Sequence, residues 1–370
     1  MLCDCAEPRR FIATLCATMF LGCAFAPTAY AQSNVSIYGS IDEGITYTSN
    51  ALGKRTATVA PAAVPDFIGL RGSEDLGDHA TAFYAMQQGY RSNNGQAIVP
   101  GSAYGFFSYV GLSHPRYGTV YLGRQLDLAA EALRVNSNGS NLLSFYFFHL
   151  ANLDNLGILG DSINNSVRYT SPSLFGLQAS VIYGLAESGI QPGRILSMDV
   201  VHDEGAARFS LVYSSWRDHA VPLVSGLGRA EFLGQSLVQG ATFVAKRQDI
   251  FGLSTYYTAS PSVALHAVLS QVNLASSART TRMRNVEVGV NLRMASNQTV
   301  ALGGHASWLD GTRYLQAGVG DLLTASKRTT LYAQVVYQHA DGSANAAIPL
   351  LLPSTSRSQL ALRVGVHQFF

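Results

Sequence analysis

A chain of 370 residues that is 47% hydrophobic yet only 13% charged, with 35 glycines and a net charge of +2, excludes two broad classes at once. Nucleic-acid binding needs clustered Lys and Arg, which this balance does not supply, and helical membrane insertion needs about 20 consecutive apolar residues, which residues 32–370 lack. Low charge without such a run points to hydrophobicity hidden by alternation, as in a membrane β-barrel.

The first segment reads as a targeting sequence. Arg9 and Arg10 form a basic n-region, Phe11 to Phe25 an apolar stretch too short to span a bilayer, and Ala29-Tyr30-Ala31 a small-x-small cleavage site. Residues 1–31 are expected to be removed during export, leaving 32–370 as one domain. Cys3, Cys5, Cys16 and Cys23 all fall in the removed part, so neither a disulfide nor a thiolate site is expected in the mature chain. A lipoprotein reading through Leu21-Gly22-Cys23 is the alternative, with Phe20 standing where a lipobox carries Leu.

Period-two alternation dominates the remainder. Val35, Ile37, Ile41, Ile45 and Tyr47 alternate with Ser36, Tyr38, Ser40, Asp42 and Thr46. The pattern returns at Phe209 to Tyr213, at Leu331 to Tyr337 and at Leu360 to Phe370, the polar face carrying Arg, Gln, Ser and Thr. Between strands, tight turns such as Glu74 to Asp78 and Ser171 to Ser173 are separated by longer stretches at Arg91 to Ser102, Leu126 to Asn164 and Ala340 to Arg357. Short turns on one rim and long loops on the other are the arrangement of a transmembrane antiparallel β-barrel. Candidate strands number about seventeen, and because bacterial barrels close on an even count, about sixteen are expected. The strand ends between Ile195 and Lys246 are not set by the pattern.

Several stretches resemble the general porins of Gram-negative bacteria, in particular the trimeric type of β-proteobacteria. They are Val35 to Asp42, Gly69-Leu70-Arg71-Gly72-Ser73-Glu74-Asp75-Leu76-Gly77, Val110 to Ser113, Tyr117 to Gln125, Asn165 to Pro172 and Ser326 to Gln334, with a terminal Phe370. The resemblance implies an outer-membrane homotrimer, a passive channel for small hydrophilic solutes and ions, and assembly through recognition of Phe370. It also implies that the long loop Leu126 to Asn164 folds into the lumen, its acidic and carbonyl groups facing basic side chains on the wall. Carried over by position, Arg71, Arg124 and Arg168 stand at basic sites and Asp127 opens the loop, with Glu131, Asp154 and Asp161 adding negative charge. Phe67 and Phe106 occupy positions that are usually Arg, and Gln87 one that is often Glu, so the constriction charge is diluted.

With Ile68 and Tyr109 taken as outward, alternation turns Phe67 and Phe106 toward the lumen, where they would form an aromatic collar with Phe145, Tyr146, Phe147 and Phe148; a local bulge would turn them outward instead. Arg71 and Arg168 read as lumenal because a charge at the lipid midplane costs about 2–4 kcal/mol. Arg124 shares the parity of Val120 and Leu122, which opposes a lumenal position, and Glu43 falls on the outward parity of its strand. The 9 histidines are scattered with no His-x-x-x-His pair, so no metal site or cofactor is expected. Gly303-Gly304 has no following helix and lysine, which removes a phosphate loop. Two competing functions are a barrel hydrolase, for which no local Ser and His arrangement stands out, and a surface-binding role through the apolar Ala346 to Pro353.

Overall fold

A computed structural model describes residues 34–60, 63–157, 162–189, 191–222, 226–237 and 242–370; the expected signal peptide and Asp161 lie outside them. In chain order the strands are β1 (Asn34–Ala51), β2 (Lys54–Val59), β3 (Asp66–Gly77), β4 (Ala80–Tyr90), β5 (Phe107–His114) and β6 (Gly118–Leu126). They continue as β7 (Ser162–Thr170), β8 (Leu177–Gly184), β9 (Ile195–Glu204), β10 (Ala207–Pro222), β11 (Glu231–Phe232), β12 (Gln235–Ser236) and β13 (Thr242–Ser260). The last six are β14 (Val263–Ala275), β15 (Thr280–Ala295), β16 (Gln298–Leu309), β17 (Thr312–Thr324), β18 (Thr329–Ala340) and β19 (Ser358–Phe369).

Each long strand pairs antiparallel with its chain neighbours, and β1 closes the barrel against β19 from Ser40↔Phe369 to Thr48↔Ala361. The lower half of β1 pairs β3, and along its upper half the short β2 takes the place of β3. With β2 set aside as this flap and β11–β12 as a separate small hairpin, sixteen strands form the closed wall. The region the pattern left open, Ile195 to Lys246, resolves into β9, β10, the small hairpin and the start of β13.

The alternation works in one direction around the circumference. Ile37 is 67% exposed, and Leu211, Val288 and Val364 are likewise bare on the outer face, whereas Ser40, Asp42, Ser214 and Gln248 are buried on the inner one. A soluble sandwich would bury those apolar rows against each other; here they face outward around the whole barrel, as lipid-facing rows do. At the rim bearing Asn34 and Phe370 the turns are tight. Asp78 and His79, at φ 48° and 62°, occupy the left-handed region that lets two residues reverse β3 into β4. The opposite rim carries the longer loops 52–65, 91–106, 127–161, 185–194, 223–241 and 341–357, with short links at 276–279 and 310–311.

The loop between β6 and β7 (127–161, hereafter the third loop) holds helices α1 (Leu128–Arg134) and α2 (Asn138–Asn141), followed by single 3-10 turns at Phe145–Phe147 and Leu150–Asn152. Asp127 and Ser137 cap the two helices by accepting Ala129 and Ser140 amides. His149, Ala151, Asn152 and Asn155 all have positive φ, from 48° to 68°, a costly backbone for residues with a Cβ that persists only where packing holds it.

Candidate functional site

The third loop lies along the inner wall, and small wall residues make its track. Gly252, Gly289, Gly303, Gly318 and Gly320 are on the inward parity of β13, β15, β16 and β17. A Cβ at these positions would meet Leu133, Asn138 or Leu142 of the loop at 2.2–2.8 Å, so any larger residue would push the loop off the wall. The apolar side is completed by Leu142, Phe147 and Phe148, buried against Ala301, Val336 and Ala361 of the wall and Ile348 of the last loop.

At its start the loop is fastened by Asp127. This carboxylate is fully buried and accepts from Ser197 Oγ (2.6 Å), Ser214 Oγ (2.9 Å), Trp216 Nε1 (3.1 Å) and Asn155 Nδ2 (2.9 Å), besides the Ala129 amide. Donors from β9, β10 and the loop's own far end thus meet on one anion, and charge-assisted bonds of this kind are the strong ones. A second anchor is a buried group at His149. Its Nδ1 is 3.1 Å from Asp154 Oδ2, and its Nε2 is 3.5 Å from Glu287 Oε2 on β15, which lies 3.5 Å from His305 Nδ1 on β16. Burial opposes a charged ring at His149, but Asp154 and Glu287 outweigh it and hold its pKa above the ordinary imidazole value. Burial likewise opposes the Asp154 carboxylate, and His149 more than offsets it, keeping that pKa low. Sequence spacing hid this group because its members come from three separate elements.

The opposite side of the lumen, β1 and β3–β7, carries no such track. Its inner face is aromatic: Tyr38 and Phe67 meet edge to face at 6.0 Å, and Phe83, Phe107 and Tyr121 surround Tyr109 at 5.2–6.4 Å among themselves. Arg71 is exposed and lies over the Tyr38 ring at 5.1 Å; Arg168 lies over Tyr121 at 5.0 Å and pairs with Glu131 of the third loop at 2.7 Å. Glu131 and Arg168 also border a polar recess of ≈ 320 Å³ with Asp199, Asp203 and Arg208.

The residues expected to line a constriction therefore separate. Arg71, Phe67, Arg168 and Glu131 share one inward-facing sector, and Gln87 lies there too, accepting Tyr38 Oη at 3.2 Å. Asp127 is a correction: expected at the lining, it is sealed behind α1 as an anchor, because its hydrogen-bond donors come from the wall. Asp154 is sealed in the same way. Arg124 is turned from its strand's alternation by a bulge between Gly123 and Gln125; it donates to Gly105 O (3.0 and 2.7 Å) and to Asn164 Oδ1, bracing a neighbouring loop. Tyr109, taken as outward, faces inward. Phe106 precedes the first residue of β5 and escapes the alternation; its ring covers Gly89 on the inner face and is only 3% exposed. The collar with the loop aromatics does not form, since Phe147 and Phe148 are buried on the far wall. Glu43 is sheltered by Ser92 Oγ from the loop at 91–106.

The apolar stretch from Ala346 is a further correction. Ala346, Ala347 and Ile348 are buried, Ile348 against the third loop, and their amides donate to Ser356 O, Gln338 Oε1 and Gln359 Oε1, so the exposed part of the stretch is confined to its far end at Leu352. Two features had no signal in the sequence. One is the His149 group; the other is Arg363, buried and paired with Asp42 at 3.0 Å beside Tyr332 at the barrel closure.

A family model described as Gram-negative porin matches residues 17–344. The chain belongs to that family. This porin is 29% identical over 198 residues to an outer membrane porin protein of Bordetella pertussis, a match covering 47% of this chain and 48% of that one. It is 32% identical over 120 residues to a major outer membrane protein of Neisseria meningitidis serogroup B, covering 31% and 27% of the two chains. The porin thus spans about half the length, or less, of these curated relatives in the matched regions. Its fold is that of the anion-selective porin from Comamonas acidovorans, with a TM-score of 0.75 and 21% identity over 92% of this chain and 100% of that one. Family and fold place it in the bacterial outer membrane.

Proposed function

We propose that this porin is a passive diffusion channel for small hydrophilic solutes and ions across the outer membrane. One observation carries the reading: the third loop is held against the β8–β19 side, while Arg71, Phe67 and Tyr38 across the lumen keep solvent exposure on an inward face. A solute passes between the loop and the aromatic wall. Glu131 neutralises Arg168, whereas Arg71 meets only the Tyr38 ring among the described contacts, so a weak preference for anions is the expected selectivity.

The barrel carries out no chemistry on this reading. Its histidine and carboxylate group lies buried behind the loop, where a substrate in the lumen does not reach it. The family resemblance supports a homotrimer, and the exposure of Phe370, 44% beside Gly39, supports its recognition by the assembly machinery. Residues 1–31 are taken to be removed, leaving a single domain. Planar-bilayer recording tests the channel: steps in groups of three with a small anion-side reversal potential in a KCl gradient are expected, and the absence of ion conductance by folded protein would refute it. N-terminal sequencing of outer-membrane protein is expected to begin at Gln32.

A further inference from the structure

We propose that His149, Glu287 and His305 bind one divalent transition-metal ion of zinc type, which clips the third loop to the barrel wall. The three come from different elements, the loop, β15 and β16, and their donor atoms lie within 4.8 Å of one another in a fully buried setting. His149 Nε2 and His305 Nδ1 are each 3.5 Å from Glu287 Oε2. Ligands on a tetrahedral zinc ion, with bonds of about 2.0–2.1 Å, stand roughly 3.4 Å apart, so an ion fits among these atoms with little movement.

The surroundings orient the ligands as a metal requires. Asp154 Oδ2 holds His149 Nδ1 at 3.1 Å, and Ser307 Oγ holds His305 Nε2 at 3.0 Å. In each ring the second nitrogen is thereby engaged and the first left to face Glu287, the arrangement by which carboxylate and hydroxyl partners set the tautomer of a metal-ligating histidine. The other oxygen of Glu287 accepts the Asn138 amide from α2, which fixes the carboxylate. Glu287 Oε2 and His149 Nε2 have no hydrogen-bond partner among the described residues, although both are buried. Buried polar atoms without a hydrogen bond are costly, and an ion coordinated by both would supply the missing partner.

Two imidazoles and a carboxylate without thiolate favour zinc, nickel or copper over calcium or magnesium, which take all-oxygen sites. A water molecule completes four-coordination. Because the loop encloses the site, the ion enters as the loop docks. The inference stands apart from the channel reading, since metal uptake is measured without conductance.

The probe is Co²⁺. Full-length mature protein refolded into detergent with Co²⁺ is expected to retain one equivalent after desalting and to show the visible bands of a four-coordinate ion, which Zn²⁺ then abolishes. E287Q and H305Q are expected to lose the bands while keeping heat-modifiable migration, and D154N to bind about 10–100-fold more weakly as a second-layer partner. Should those variants not fold, X-ray absorption on the Zn²⁺-loaded wild type reads the same site, two imidazole scatterers supporting it and an all-oxygen shell overturning it. Folded wild type that retains no stoichiometric Co²⁺, or uptake unchanged in folded H305Q, overturns the proposal.

Discussion

On the β1–β6 side of the barrel, inward glycines are covered by rings from the adjacent strand, Tyr38 over Gly69 and Phe83 over Gly111. On the β13–β17 side, Gly252, Gly303, Gly318 and Gly320 are covered instead by Leu133, Asn138 and Leu142, which reach them from the third loop, and Gly289 is shared between Asn138 and the His266 ring of the adjacent strand. The backbone problem is the same, since a glycine in a strand leaves a gap that something must fill. The two solutions divide the lumen. Where a strand neighbour fills the gap the wall stays thin and solvent reaches it; where the loop fills it the wall thickens and the passage is displaced to the other side.

The largest effect that would break this division comes from Asp127. Asp127→Ala strands the donors of Ser197, Ser214 and Trp216 and releases the start of the loop, and a loss of about 3 kcal/mol is expected in urea unfolding from detergent micelles. Gly303→Val comes next. Its added side chain meets Asn138, so about 1–3 kcal/mol of overpacking and an altered single-channel conductance are expected. Its neighbour supplies the contrast: Gly304 points outward with nothing within 4 Å, and Gly304→Val is expected to leave both measurements unchanged.

On the thin side, Phe67→Arg adds a charge to the inward sector without burying it, and a reversal potential shifted toward anions is expected in a salt gradient. Phe106→Arg places the charge on a ring site that is sealed, so its expected result is a reduced folded yield. Equal behaviour of the two variants would contradict the placement of these rings. The smallest effect concerns the pair that joins the third loop to β7. Glu131→Gln frees Arg168 and shifts selectivity toward anions, Arg168→Gln shifts it the opposite way, and either costs only about 0.2–1 kcal/mol of stability.

The strands, the outward rows and the division into tight turns and long loops were legible because each rests on local periodicity. Legibility failed on β5, where Tyr109, expected outward, faces inward, and at strand ends. Phe106 stands one residue before β5 and Arg124 beside a bulge, and the rule that sets side-chain direction no longer applies at either place. It failed also for acidic residues of the third loop. Glu131 and Asp127 are four residues apart on the same segment, yet one faces the passage and the other is sealed by wall donors that lie 70 to 89 positions further along the chain.

By itself, then, the amino-acid order determined the barrel and the outward row of most of its strands, because side chains in a strand alternate and lipid accepts only one of the two faces. Only the closed tertiary structure decided where the third loop lies, which glycines it covers, and that His149, Glu287 and His305 meet. Those are relations between strands set by register and closure. No window of neighbouring residues contains them.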